Sequence, residues 1–369
     1  MTESTRDSEV FELSDEELED MEEATPLIEP IVYSGQDFDV DGLNRRLRQR
    51  DIIIPNFGHH DEEIETSGFQ RNFVWNRRQM DKFIESMLLG YPIPGIFLIR
   101  QSNRSYLVLD GQQRLKTIQY FYAGKFQNRI YSLRNVAEKF KGLTYDTLPD
   151  ELRRTLDNAF IQATIVDAGD TPERLEAVYQ IFERLNSGGT QLTAHEIRVA
   201  LYAGQLIDYL ETLNQDRSWR NLYGKSSSRI RDQELVLRIL ALYVDSNDYV
   251  APLKSFLNTF CTKHKKECGA DLLAAGDLFL KAAALLDSAV GSQALRRESS
   301  QVNTSQTDAL FIGLMTRLLS GEISVSEVAF GVAEIKSNET FGELISESTS
   351  HEDRVKARVA EAIRIFSQF

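Results

Sequence analysis

The sequence predicts an α+β protein in two parts, and three observations predict it. Short apolar runs closed by turn residues mark the first half, as at Gly95 to Ile99 and Tyr106 to Leu109. Helical spacing of apolar residues takes over from about Thr171. Ahead of both lies a polar, acidic stretch with too little apolar surface to pack.

The elements follow in order. Residues 1–30 hold 12 acidic residues and one base, so most of the formal net charge of −14 sits there and the body is close to neutral. The run SDEELEDMEE, Ser14 to Glu23, reads as a solvated tail, and a nucleic-acid partner for the body is not excluded by charge. Leu43 to Ile54 reads as a basic helical turn and a short apolar strand ended by Pro55, followed by a polar insertion at Gly58 to Gly68. Asn76 and Gln79 form the pattern of a capping box. Met80, Phe83, Ile84, Met87 and Leu88 then recur at helical spacing up to Gly90. GIFLI and YLVLD, joined by QSNRS, read as a hairpin.

Thr171-Pro172-Glu173 starts the helical part with an N-cap, a first-turn proline and an acid. NSGGT, Asn186 to Thr190, breaks that helix, and Thr193 with Glu196 opens the next. Amphipathic stretches cover Gln233 to Val244, Pro252 to His264, Asp271 to Ala289, Thr307 to Leu319 and Glu352 to Phe366, with a loop at Arg296 to Thr307. The expected division is an acidic tail over 1–31, a strand-bearing domain over 32–170 and a helical domain over 171–369.

Composition bounds the function. At 42% hydrophobic and 27% charged the chain has a soluble globular profile, and 369 residues suffice for roughly two domains. No apolar stretch approaches the ~18 residues of a membrane span, and the amino terminus is acidic where an export signal would be basic. A cytoplasmic protein with no membrane partner is expected. Two cysteines, Cys261 and Cys268, are too few for a disulfide scaffold.

The stretch YLVLDGQQRLKTIQYF, Tyr106 to Phe121, carries the chemistry. If YLVLD is a strand and Gln113 onward a helix, the first-turn N–H groups and the helix dipole favour an anion at the Gly111 corner. Gly111 permits close backbone approach, and Arg114 offers two parallel hydrogen bonds to phosphate oxygens. Asp110 suits a divalent metal that neutralises phosphates, or a water to be oriented. Gln112 and Gln113 both donate and accept, which suits a base, a ribose or an attacking water. The bland alternative is a polar strand-to-helix corner with Arg114 solvated and Asp110 as the N-cap. An arginine that serves phosphates alone predicts that Arg114→Lys lowers triphosphate affinity at least about tenfold and barely moves thermal stability.

FQRNFVW, IESMLLGYPIP, LVLDGQQRLKTI and FERLNSGGTQLTAHEIRVAL, in that order over Phe69 to Leu201, resemble the signature of the GmrSD N-terminal-like domain family. The resemblance implies a ParB/sulfiredoxin-like fold for the first domain and the nucleotide-using half of a modification-dependent restriction system. It places Asp110, Gly111, Gln112, Gln113 and Arg114 at a nucleoside triphosphate site, with Asp110 as the Mg2+ ligand. Gln70 and Arg71 match an earlier motif, and Arg71 becomes a second phosphate candidate. Arg184, Asn186, Gly188 and Glu196 match the later motif, where a site role for Asn186 stands beside a helix C-cap and turn.

The implied partners are DNA, modified phage DNA in particular, and a nuclease subunit on another chain. The residues show no HNH pattern of paired histidines and asparagine, so either the nuclease is separate or this member does not cut. Self-association is compatible with the family. Two other function classes stay open: a non-catalytic adaptor on a ParB-like scaffold, and a ParB-like small-molecule kinase that rests on fold analogy alone.

Three further clusters admit ordinary solvation as well as a site. His59 to Glu63 has metal-binding residue types in a polar loop. Cys261, His264 and Cys268 are spaced to share a helical face. Arg45, Arg46, Arg48, Arg50, Arg77 and Arg78 form a candidate DNA-facing patch.

Overall fold

A computed structural model describes residues 31–54, 56–57, 69–70, 75–101, 104–167, 169, 171–185, 193–227, 229–297, 300–346 and 349–369. The acidic tail and the His59 to Glu63 cluster lie outside the described residues. The chain divides into two units, one ending at Leu185 and the other running from Asn186 to Phe369.

The first unit contains, in order, β1 (Tyr33–Asp39), α1 (Val40–Arg48), β2 (Ile52–Ile53), β3 (Asn56–Phe57), β4 (Phe69–Gln70), α2 (Arg77–Leu88), β5 (Ile96–Arg100), β6 (Tyr106–Asp110), α3 (Gln112–Tyr122), β7 (Lys125–Phe126), β8 (Arg129–Ile130), α4 (Asp150–Asp157), β9 (Phe160–Asp167) and α5 (Pro172–Leu185). Its main sheet has five strands in the order β1-β9-β5-β6-β2. β1 runs antiparallel to β9 and β5 antiparallel to β6, whereas β5 with β9 and β2 with β6 are parallel.

One sheet face supplies Phe38, Ile96, Leu98, Val108, Ile161, Ala163 and Ile165 to a core. Leu43 and Leu47 of α1, Met80, Ile84 and Met87 of α2, and Leu115, Ile118 and Phe121 of α3 fill the same core. These helical residues recur at three- and four-residue spacing, which puts them on one face of each helix.

The expected capping box at α2 forms: Asn76 Oδ1 accepts from Gln79 N at 3.0 Å, and Gln79 Oε1 accepts from Asn76 N at 2.9 Å. The same helix binds the irregular segment after β8. Asp81, fully buried, accepts from Arg77 Nε at 3.0 Å, Arg134 N at 3.2 Å, Asn135 N at 3.0 Å and Asn135 Nδ2 at 2.8 Å. One turn later Glu85 accepts from Ala137 N at 2.6 Å. Arg77 is used inward as well: its guanidinium lies 3.7 Å from the centre of the Tyr131 ring and donates to Ser132 O at 2.6 Å. Its side chain is 27% exposed, and a stacked and doubly bonded guanidinium is less available to the expected DNA-facing patch than the exposed Arg78 beside it.

The second unit contains α6 (Ala194–Leu201), α7 (Gln205–Asn214), α8 (Arg217–Tyr223), α9 (Arg231–Val244), α10 (Leu253–His264), α11 (Ala270–Ala289), α12 (Thr304–Leu319), α13 (Val325–Ser337), α14 (Glu339–Leu344) and α15 (Glu352–Phe366). α12 is its spine, buried continuously from Ser305 to Met315 and packed against α9, α11 and α15. The expected loop over Arg296 to Thr307 ends early, because Asn303 caps α12 by accepting from Gln306 N at 2.8 Å. Asp308 on this spine is fully buried and accepts from Arg238 Nη2 at 2.8 Å and Arg358 Nη2 at 3.1 Å.

Candidate functional site

The corner is built by four local features. β5 and β6 slip register between Phe97 and Leu98: Phe97 pairs with Asp110 and Leu98 with Val108, so Leu109 is the extra residue of a bulge. The bulge sets the direction in which the strand delivers Asp110. Gly111 follows with φ +96, a left-handed conformation that glycine adopts without steric penalty. A Cβ there would lie 2.4 Å from Ile96 Cγ2, so both the backbone angle and the space demand glycine. α3 then begins at Gln112 with Gly111 as its N-cap.

This overturns the alternative in which Asp110 caps the helix. Gly111 has no side chain, so the N-cap position itself makes no side-chain bond to the first turn.

Arg114 reaches back across the corner. Its Nη1 donates to Pro94 O at 2.5 Å and Gly95 O at 2.8 Å, and its Nη2 donates to Asp110 Oδ2 at 2.6 Å. The Arg114 side chain is 13% exposed and that of Asp110 55%. The arginine is thus neither solvated nor simply free for phosphates. It ties helix, strand end and the preceding loop together, while its Nε hydrogen and the second Nη2 hydrogen make no bond to a described residue.

The two glutamines differ. Gln113 Oε1 accepts from Trp75 N at 3.3 Å, which joins the corner to the start of α2. Gln112 is only 4% exposed, and neither atom of its amide has a hydrogen-bond partner among the described residues. A buried unpaired amide costs about 1–3 kcal/mol per polar group, so its position beside the corner demands a reason. Among the described residues no three His, Cys, Asp or Glu side chains gather as metal ligands.

Residues 49–203 match the family model of the GmrSD restriction endonuclease, N-terminal domain. No curated protein matches the sequence.

The matched stretch takes in α2, the β5–β6 hairpin, the whole corner and α6. Arg71 and Asn186 lie outside the described residues, as does Gly188. The backbone of Gln70 pairs with Asn56 in the two-stranded β3–β4 ribbon. Arg184 is exposed on α5. Glu196 is buried, accepting from Thr193 N at 2.7 Å and Arg229 Nη2 at 2.9 Å. Those two bonds make it the third residue of the α6 capping box and half of an ion pair, which accounts for it without a ligand.

The Cys261, His264 and Cys268 set does not share a helix, since α10 ends at His264. Burial pushes the Cys261 thiol up to about 12, far from a thiolate that would bind metal. Sequence reasoning missed the carbonyls of Pro94 and Gly95 and the Leu109 bulge. Backbone carbonyls carry no residue signature, and only the two prolines of Tyr91 to Pro94 hinted at a fixed loop there.

Proposed function

We propose that this chain is the nucleotide-binding, DNA-sensing regulatory component of a modification-dependent restriction or anti-phage defence system, with slow hydrolysis of a nucleoside triphosphate at the Asp110–Arg114 corner. The observation that carries the reading is the helix start of α3, uncapped behind a left-handed Gly111, inside a segment that matches a restriction-endonuclease domain.

The residues present fit the groups proposed. The N–H groups of the first turn and the fixed guanidinium of Arg114 favour triphosphate oxygens, and the carbonyl clamp holds that cation at its post before any ligand arrives. Asp110 keeps one oxygen free of bonds to described residues, and one carboxylate shared with phosphates is a common way to hold magnesium, which neutralises phosphate charge when bound. Gln112 and Gln113 supply amides able to orient the attacking water. Arg71 and Asn186 are further ligand candidates from the motif match. DNA and a nuclease on another chain complete the proposed system.

The test uses purified chain, magnesium and each of the four common radiolabelled triphosphates. Binding of at least one, with slow phosphate release that Asp110→Asn abolishes, is expected. Absence of binding for all four would sink the reading. One observation favours a second: Arg114 already spends three bonds within the protein, as a scaffold arginine would. A non-catalytic adaptor predicts unchanged partner binding and defence in Asp110→Ala cells.

A further inference from the structure

We propose that the end of the sheet opposite the Gly111 corner is a phosphodiester-binding rim, in which Arg50 and Arg104 contact neighbouring phosphates of a DNA strand. The proposal rests on the DNA-sensing part of the function above, and it assigns that contact to particular residues.

The first observation is conformational. α1 ends in a Schellman motif, with Asp51 N donating to Arg46 O at 2.9 Å and Arg50 N to Leu47 O at 3.3 Å. Arg50 fills the position that this motif reserves for glycine, at φ 62. The turn between β5 and β6 closes with Arg104 N donating to Gln101 O at 2.9 Å and Gln101 N to Ser105 O at 2.9 Å. Arg104 stands at φ 69, where such three-residue loops favour glycine. Both arginines thus carry a backbone penalty that glycine avoids, so the side chain is what these positions keep.

The second observation is their juxtaposition. β2 pairs in parallel with β6 through Ile52 and Tyr106, and Tyr106 N donates to Asp51 O at 2.7 Å. Arg50 and Arg104 each precede that first paired position by two residues, so both lie at the same end of the sheet. Both are exposed, and neither side chain has a hydrogen bond or ion pair with any described residue. Two carboxylates on the flanking segments are already engaged: Asp51 lies 4.0 Å from Arg46 and Asp167 lies 3.6 Å from Arg100.

The shape selects the partner. Both cations are exposed at one end of the sheet, which suits a repeated polyanion better than one enclosed small anion. Such contacts bind by counterion release and carry no sequence information.

The test is titration of a short fluorescent duplex with the full chain over a series of salt concentrations, for wild type and the double variant Arg50→Gly/Arg104→Gly. The salt slope should fall by about two, near 0.9 per lost phosphate contact, and low-salt affinity by about tenfold. The melting temperature should hold or rise, since glycine relieves both left-handed positions, and triphosphate binding at the corner should not change. Arg50→Lys/Arg104→Lys should keep the salt slope. Unchanged slope and affinity in the glycine variant, with wild type binding DNA, would overturn the rim and spare the DNA-sensing reading. A fall in melting temperature on glycine substitution would mean that the arginines hold the turns, and it too overturns the proposal. Failure of wild type to bind any duplex would remove the rim and DNA sensing together.

Discussion

Arg114 shows how one side chain changes meaning between sequence and structure. As a helix arginine it offered a fork for phosphates; in the fold the fork already grips Pro94 O, Gly95 O and Asp110. Lysine has one nitrogen where arginine has two aimed in different directions, so Arg114→Lys should lose bonds worth roughly 1–3 kcal/mol in total. Melting of the ligand-free protein should fall accordingly, by several degrees in calorimetry. This corrects the expectation that stability would barely move. Equal melting points would show that the clamp contributes nothing. Gly111 is simpler. Gly111→Ala forces an L residue into φ +96 and a methyl to within 2.4 Å of Ile96 Cγ2, so it should destabilise by more than about 1 kcal/mol. Gly111 was legible because only a glycine suits so abrupt a passage from strand to helix. The clamp was not legible, because its acceptors are peptide carbonyls that any residue could supply.

At the scale of elements, α2 was read correctly from its cap and its spacing, and both are local signals. What α2 does with its other face was hidden. Asp81 and Glu85 look like ordinary helix-surface acids, yet they hold the backbone of the segment after β8. Asp81→Asn turns an acceptor into a donor facing three N–H groups, and breaking such a buried charged contact costs about 3–5 kcal/mol. Urea unfolding should show that loss, and hydrogen exchange should speed up first at Arg134 and Asn135. Arg78→Gln, on the exposed side of the same helix, should stay within about 0.5 kcal/mol of wild type. Strand reading failed unevenly. β9 alternates Ile161, Ala163 and Ile165 with Gln162 and Thr164, a period-two signal that was present and unused. β1 had no such signal, since it is an edge strand that buries only Phe38.

At the scale of the molecule, the helical unit carries a pH liability. His195 is fully buried, with Nε2 3.0 Å from Gln233 Oε1, and burial together with the nearby Arg198 charge pulls its pKa down to about 3. The unfolded chain takes up a proton near pH 6.5 and the folded one does not, so stability is constant above that value and is lost as pH falls toward 3. Between pH 7 and pH 5 the loss should be about 2 kcal/mol, and His195→Gln should remove that part of the slope in paired denaturation curves. The first unit has a liability of another kind, set by the order in which its sheet fills. β9 lies between β1 and β5, so the last strand made is the one that joins the two sides. On a ribosome β1, α1 and the hairpin emerge well before Phe160, and until β9 follows them β1 has no neighbour and β5 has a bare edge. A stalled chain or a proteolytic product ending before Phe160 would therefore expose two unpaired strand edges at once, and the cell would meet it as a substrate for chaperones rather than as a smaller version of the domain.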